Sequence, residues 1–183
     1  MIKRELYMNR IRPFIGGELI KVMTGIRRSG KSVMLELIKE ELAEAGVAPS
    51  QMISINFEDM RYSHLQTATA LHDEIIKRAE GIEGKAYLFF DEIQEVEGWE
   101  KCVNSLRVAL DCDIYITGSN AKLLSGELAT YIGGRYVEFV IYPFSFAEFL
   151  ELYHTIAPSD SIQQCFQKYL LAGGMPYLAN LRY

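Results

Sequence analysis

The 183-residue sequence predicts an α/β domain built on a parallel sheet with helices on both faces. Short apolar runs alternate with longer stretches of helical periodicity, the pattern of strand–helix–strand units. Several of the short runs, Tyr87–Phe90 and Val137–Tyr142 among them, are apolar almost throughout, as strands are when helices cover both faces. With 49% hydrophobic and 23% charged residues, the chain can fill one generous core, and wholesale disorder is excluded.

The strands are expected at Ile20–Thr24, Met52–Phe57, Ala86–Phe90, Asp113–Thr117 and Arg135–Ile141. Helical spacing falls between them, at about Lys31–Ala45, Leu65–Glu80, Trp99–Leu110 and Ala121–Tyr131. Pro143 breaks the alternation. Two further helical stretches follow, Ser145–His154 and Ser161–Leu171, ending at Gly173-Gly174 and Pro176. The division this suggests is a core over 1–142 and a small helical lid over 143–183. Within the lid, Phe144, Phe146, Phe149, Leu150 and Tyr153 follow helix spacing and read as packing.

Charge is unevenly placed. Residues 1–31 hold eight of the 19 basic residues and two of the 24 acids, so this segment is +6 and the remainder −11. An acidic body argues against coating nucleic acid through a basic face, whereas a compact basic zone can neutralise a polyphosphate. No apolar run approaches the roughly 18–20 residues needed to span a bilayer, and no apolar leader core follows Lys3-Arg4-Glu5, so a cytoplasmic protein is the expectation. Three scattered cysteines (Cys102, Cys112, Cys165) and three histidines without ligand spacing give neither a disulfide framework nor a zinc site.

The strongest motif is Gly25-Ile-Arg-Arg-Ser-Gly30-Lys31-Ser32, a full G-x-x-x-x-G-K-[ST] between a predicted strand and a predicted helix. Glycines let such a loop turn its backbone N–H groups inward as an anion nest, and the helix N-terminus adds its positive dipole end. Lys31 is placed to contact β- and γ-phosphates and Ser32 to ligate Mg²⁺. The phosphate-binding set is Gly25, Arg27, Arg28, Ser29, Gly30, Lys31, Ser32 and Val33. Arg27 and Arg28 either add charge at the phosphates or point to solvent.

Sixty residues after Lys31, the apolar strand Ala86–Phe90 ends in Asp91-Glu92. Two carboxylates at a buried strand end require a compensating cation or proton. A Mg²⁺–nucleotide complex supplies one. Asp91 then holds the metal with Ser32, and Glu92 polarises the attacking water. Glu58-Asp59, after the second strand, reads either as a neighbour of the metal or as a solvated loop.

Gly25–Ser32, Asp91-Glu92, Ile116-Thr117-Gly118-Ser119-Asn120 and Gly133-Gly134-Arg135 resemble the Walker A, Walker B, sensor 1 and arginine-finger regions of AAA+ P-loop ATPases. With YPFSFAEF and the late GGMP, the ordered set is similar to the uncharacterised prokaryotic AAA-family ATP-binding proteins related to archaeal-type ATPases, over nearly the whole chain. The resemblance implies the additional-strand P-loop NTPase fold: a five-stranded, mainly parallel sheet of order 5-1-4-3-2 followed by a small helical lid. It implies sensor 1 at Ser119, with Asn120 as competitor, both also reading as a helix N-cap. Arg135 it places as a finger acting on a neighbouring subunit of a homo-oligomer, the alternative being a surface arginine. It points to Tyr7 or Ile11 for the adenine. No sensor 2 arginine is identified, since Arg182 lies too near the end, and the group's members continue beyond the lid, so the lid is expected to be truncated or minimal.

The function expected is therefore Mg-dependent ATP binding and hydrolysis to ADP and phosphate, with Glu92, Lys31, Ser119 and Arg135 carrying the chemistry. The alternative is a regulatory switch that mainly holds ADP; a DNA-processing motor is disfavoured by charge. No guanine-reading N-K-x-D appears, and ATP over GTP rests on the resemblance. The protein partner is not legible in the residues.

Overall fold

The computed structural model describes residues 2–118, 132–156 and 159–175. Five strands form one sheet: β1 Ile20–Thr24, β2 Met52–Asn56, β3 Ala86–Asp91, β4 Cys112–Thr117 and β5 Tyr136–Val140. Their order is β2-β3-β4-β1-β5, and every pairing is parallel. This is the expected 5-1-4-3-2 order, wholly rather than mainly parallel among the described residues. All five strands lie within one residue of their expected ends; β5 starts one residue later than Arg135, whose carbonyl instead receives the Ile20 N–H.

Strand alternation divides the core in two. Val22, Ile55, Leu88, Phe90, Ile114 and Ile116 point to one face, against α3 (Ala68–Ala79) and α4 (Trp99–Ala109). Met23, Phe89 and Tyr115 point to the other, against α1 (Glu5–Ile11) and α2 (Lys31–Glu44). Phe89 and Tyr115 are partners in the β3–β4 register, and their rings stack with centroids 4.8 Å apart. Fully burying such a side chain contributes about 1.5–3 kcal/mol. Helix α2 meets the sheet with Met34, Ile38 and Leu42, one side chain per turn.

Two local features depart from the sequence expectation. The predicted helix from Leu65 begins only at Ala68, because residues Met60–Leu65 form a 3-10 turn and the Thr67 hydroxyl caps α3 by accepting from the Ala70 N–H. Helix α1 was not anticipated at all; seven residues carry too short a period to stand out, yet Tyr7, Met8 and Ile11 share one buried face.

After the sheet come α5 (Phe146–Ile156) and α6 (Ile162–Ala172). Ser145-x-x-Glu148 and Ser161-x-x-Gln164 open them with reciprocal side chain–backbone bonds. Phe146 meets Phe166 at 5.0 Å and Phe149 meets Tyr169 at 5.3 Å, so the aromatic spacing is packing as expected. The late glycine pair also has a steric reason. The Phe144 N–H donates to the Gly174 carbonyl at 2.6 Å, and a Cβ on Gly174 would lie 2.2 Å from the Phe144 oxygen. Ile2 joins Phe144 and Phe149 in this cluster, so the chain's start packs with residues past Pro143.

Candidate nucleotide-binding site

The loop 25–30 leaves the C-terminal end of β1 and delivers the chain into α2 at Lys31. Gly25 makes the turn with φ 146°, and a Cβ there would lie 2.2 Å from the Ile141 carbonyl, so the loop can press against the end of β5 only as glycine. Ser29 is fully buried inside the loop, and its hydroxyl has no hydrogen-bond partner among the described residues. The Lys31 side chain is 4% exposed. Its Nζ lies 3.4 Å from the carbonyls of Gly25 and Ile26 and from Glu92 Oε1. All three distances lie beyond the usual hydrogen-bond range, so the ammonium is surrounded by oxygens without being tightly bound by any.

The acids arrive on the neighbouring strands. Asp91 ends β3 and is 6% exposed. Thr117, ending β4, donates to Asp91 Oδ1 at 2.5 Å while accepting the Glu92 N–H at 3.0 Å. Burial pushes the Asp91 carboxyl up, while hydrogen bonds from Thr117 and Ser32 oppose that rise. The Ser32 hydroxyl thus lies close enough to the Asp91 carboxylate to oppose that rise. They form an oxygen pair suited to a hard cation such as Mg²⁺. Glu92 turns off the strand in the left-handed region, φ 55°, a conformation that costs about 1–3 kcal/mol for a residue with a side chain. The turn carries its carboxylate to Lys31 on one side and to Gln94, whose Nε2 donates to Oε2 at 2.5 Å, on the other.

A cavity of about 530 Å³ opens between the loop and the ends of β2 and β3, lined by Lys31, Glu92, Gln94, Glu95 and Phe57. Arg27 and Glu58 stand at its rim, 3.3 Å apart and both largely exposed. Glu58 therefore faces this cavity, whereas Asp59 turns away to cap the 3-10 turn at Arg61. Arg28, Ser32 and Val33 are exposed.

Of the remaining expected residues, those that are described are not gathered here. Arg135 is exposed, at the N-terminal end of β5, and donates to Asn104 Oδ1 at 3.0 Å. Because β5 runs parallel to β1, the sheet's full strand length, about 15 Å at ~3.3 Å per residue, separates it from its own chain's loop. Ser119, Asn120 and Arg182 lie outside the described residues. Tyr7 and Ile11 belong to the core; Ile11 is fully covered, and the Tyr7 hydroxyl accepts the Tyr142 N–H. Sequence reasoning missed Thr117, although it stands in the quoted Thr-Gly-Ser-Asn run; a hydroxyl at a strand end beside a paired-acid strand was the available signal. Gln94 and the buried Arg4, whose guanidinium donates to the Ser29 carbonyl at 2.9 Å, carried no such signal.

A family model described as an AAA domain matches residues 18–150. An uncharacterised protein of Haemophilus influenzae is 44% identical over 176 residues, covering 96% of this chain and 44% of that protein. An uncharacterised protein of Methanocaldococcus jannaschii is 36% identical over 166 residues, covering 86% and 35%. The chain thus spans less than half the length of these curated relatives. Among solved structures, AMPPCP-bound DnaA from Aquifex aeolicus superposes with a TM-score of 0.63 at 15% identity, covering 97% of this chain and 58% of that one. ORC1 of Aeropyrum pernix, in complex with DNA, gives 0.59 at 18%, covering 86% and 50%. At such identities the likeness is one of fold. No described helix is long and apolar enough to cross a membrane. The chain belongs to the AAA domain family, and its fold is that of the AAA+ P-loop ATPases.

Proposed function

We propose that this AAA-family chain binds Mg-ATP in the loop 25–32 and hydrolyses it to ADP and phosphate. One observation carries the reading: a loosely held buried lysine and a displaced glutamate meet at the mouth of one cavity, beside the buried Asp91 carboxylate and the Ser32 hydroxyl. The residues fit the group. Asp91 is a buried carboxylate in want of positive charge, and Ser29 offers a buried hydroxyl with no partner among the described residues. Bound through Ser32 and Asp91, Mg²⁺ would supply charge neutralisation to the β- and γ-phosphates.

Lys31 exchanges its long contacts with Gly25, Ile26 and Glu92 for phosphate oxygens, and Glu92 is thereby released. The freed carboxylate accepts a proton from a water whose oxygen attacks the γ-phosphorus as the bond to the β–γ bridging oxygen breaks. Thr117 fixes where Glu92 leaves the strand. Arg135, which faces away from its own loop, serves the nucleotide of a second copy, with Ser119 or Asn120 at the sensor position. Residues 1–142 act as the catalytic core and 143–183 as a lid. A second reading, a slow switch that holds ADP, is favoured by the resting glutamate's engagement with both Lys31 and Gln94.

Phosphate release from Mg-ATP, measured across protein concentrations with Glu92→Gln as control, separates the two. Hydrolysis predicts specific activity that climbs with concentration and falls about 10²–10⁴-fold in the variant. No release above the variant at any concentration, with ADP still bound, leaves the switch.

A further inference from the structure

We propose that Arg4 is a positioning residue of the nucleotide site: it sets the phosphate loop through the Ser29 carbonyl and ties that loop to helix α5 through Glu148. The inference rests on the loop 25–32 binding nucleotide phosphates and adds a means by which the site is held and read.

Arg4 precedes α1 and sits in the left-handed region, φ 46°, where side-chain-bearing residues are uncommon. That turn sends the side chain inward, leaving 1% of it exposed. A guanidinium carries five N–H donors in a rigid plane, and burial demands that they find acceptors. Nε donates to Glu148 Oε1 at 2.8 Å, Nη1 to the Ser29 carbonyl at 2.9 Å and Nη2 to the Tyr142 carbonyl at 2.8 Å. Its Cζ lies 4.6 Å from the Tyr7 ring centroid and 5.1 Å from that of Phe144. One side chain therefore joins the phosphate loop, the segment after β5 and the first turn of α5.

The contact with Ser29 acts on the site through a single peptide plane. In a trans peptide the Ser29 C=O and the Gly30 N–H point in opposite directions, so fixing the carbonyl fixes the direction of the next N–H. A cation bonded to the oxygen also polarises the plane and makes that N–H a stronger donor to an anion. The far side of the fork holds Glu148, which additionally accepts from the Ser145 N–H at 2.8 Å and so belongs to the cap of α5. Burial alone would raise the Glu148 carboxyl, but bonds from Arg4 and Ser145 hold it below the ordinary range. A change in the loop's carbonyl direction on nucleotide binding thus reaches α5 without an arginine from α5 or α6 entering the site.

Lysine keeps the charge but cannot meet Ser29, Tyr142 and Glu148 in one plane. The test is calorimetric titration with Mg-ADP, alongside hydrogen exchange of residues 25–34 and 145–156, on the wild type, Arg4→Lys and Glu148→Gln. The wild type is expected to bind Mg-ADP and to show altered exchange in both segments. Arg4→Lys, folded by thermal melting, should bind about tenfold more weakly, the loss of one charge-assisted bond, and α5 should no longer respond. Glu148→Gln retains the Ser29 contact; its affinity should hold within about twofold while the α5 response is lost, which carries the test if Arg4→Lys does not fold. Binding by the wild type with α5 indifferent to Mg-ADP overturns the inference alone, as does wild-type affinity in folded Arg4→Lys or an undiminished α5 response in Glu148→Gln. Absence of Mg-ADP binding by the wild type overturns the nucleotide reading and this inference with it.

Discussion

The two ends of the sheet each hold a buried lysine and a buried aspartate, and they are built in opposite ways. At the N-terminal end, Lys21 on β1 and Asp113 on β4 are fully buried and paired directly. Asp113 also accepts from the Gly16 N–H and the Tyr115 hydroxyl, both at 2.7 Å, and Lys21 donates to the Gly17 carbonyl at 3.2 Å. Burial pulls the Lys21 ammonium down, Asp113 opposing it. At the C-terminal end, among the described residues, Lys31 has only long contacts and the Ser29 hydroxyl finds no partner, while Asp91 is pushed up by burial. A charge cluster that closes on itself holds strands and a turn together. One that remains underpaired beside a cavity of about 530 Å³ is arranged for something else to complete it.

The largest effect should come from breaking the closed end. Asp113→Ala leaves Lys21 buried without its counter-ion and should cost about 3–5 kcal/mol, whereas Lys21→Met with Asp113→Leu removes the orphaned charge and should recover part of that loss, the Gly16 N–H and Tyr115 hydroxyl still lacking their acceptor. Urea denaturation of the three proteins checks this. Equal losses in the single and double variants would mean that the cost comes from the bonds Asp113 makes rather than from an orphaned Lys21 charge. Mg-ADP affinity of whichever variant stays folded should be unchanged, because the pair lies a strand length from the phosphate loop.

The contrast also explains what was readable in the residues. Lys31, Ser32, Asp91 and Glu92 stand in fixed spacings set by backbone chemistry, a loop after one strand and acids ending another, so local sequence reports them. The strand order followed from the resemblance, and the strand ends from apolar runs bounded by polar residues. Lys21, Asp113 and Arg4 were invisible for one reason. Each is a charge in an otherwise apolar or exposed-looking segment, and its burial depends on partners 92 or 144 residues away. Helix α1 escaped because seven residues give too little periodicity, and Thr117 because a strand-end hydroxyl acquires meaning only once β3 and β4 are known to be neighbours. Ser119 and Asn120, the two residues expected for the sensor position, lie outside the described residues.

A middle-sized effect sharpens the comparison at the open end. Thr117→Val removes a fully buried hydroxyl that serves both Asp91 and the Glu92 backbone, and it leaves shape nearly intact. The expected loss is about 1–3 kcal/mol, the cost of leaving a buried polar group unpaired. If Thr117 only stabilises, turnover per folded molecule should be unchanged. If it fixes where Glu92 departs from β3, the turnover number should fall by more than Mg-ADP affinity does, since Lys31 and Ser32 are untouched and affinity feels only the lost bond to Asp91. Steady-state kinetics with a parallel Mg-ADP titration distinguishes these outcomes.

The smallest effect concerns the pair between those extremes, Arg4–Glu148, where one side chain is buried and the other is 14% exposed. The Glu148 carboxyl is held below its ordinary 4.5 in the folded chain. A depressed carboxyl binds its proton less tightly when folded than when unfolded, so its contribution is full above pH 4.5 and is lost as pH falls through the folded value. Glutamine carries no such proton. Glu148→Gln should therefore be less stable than wild type at neutral pH by about 1 kcal/mol, and the gap should narrow as the solution is acidified below 4.5. Urea denaturation of both proteins at matched pH values tests it, their difference cancelling the titration of every other carboxylate. A gap that stayed constant down the acid range would mean that Arg4 is held by the Ser29 and Tyr142 carbonyls alone. The link to α5 would then be packing by Phe144 and Phe149 rather than charge.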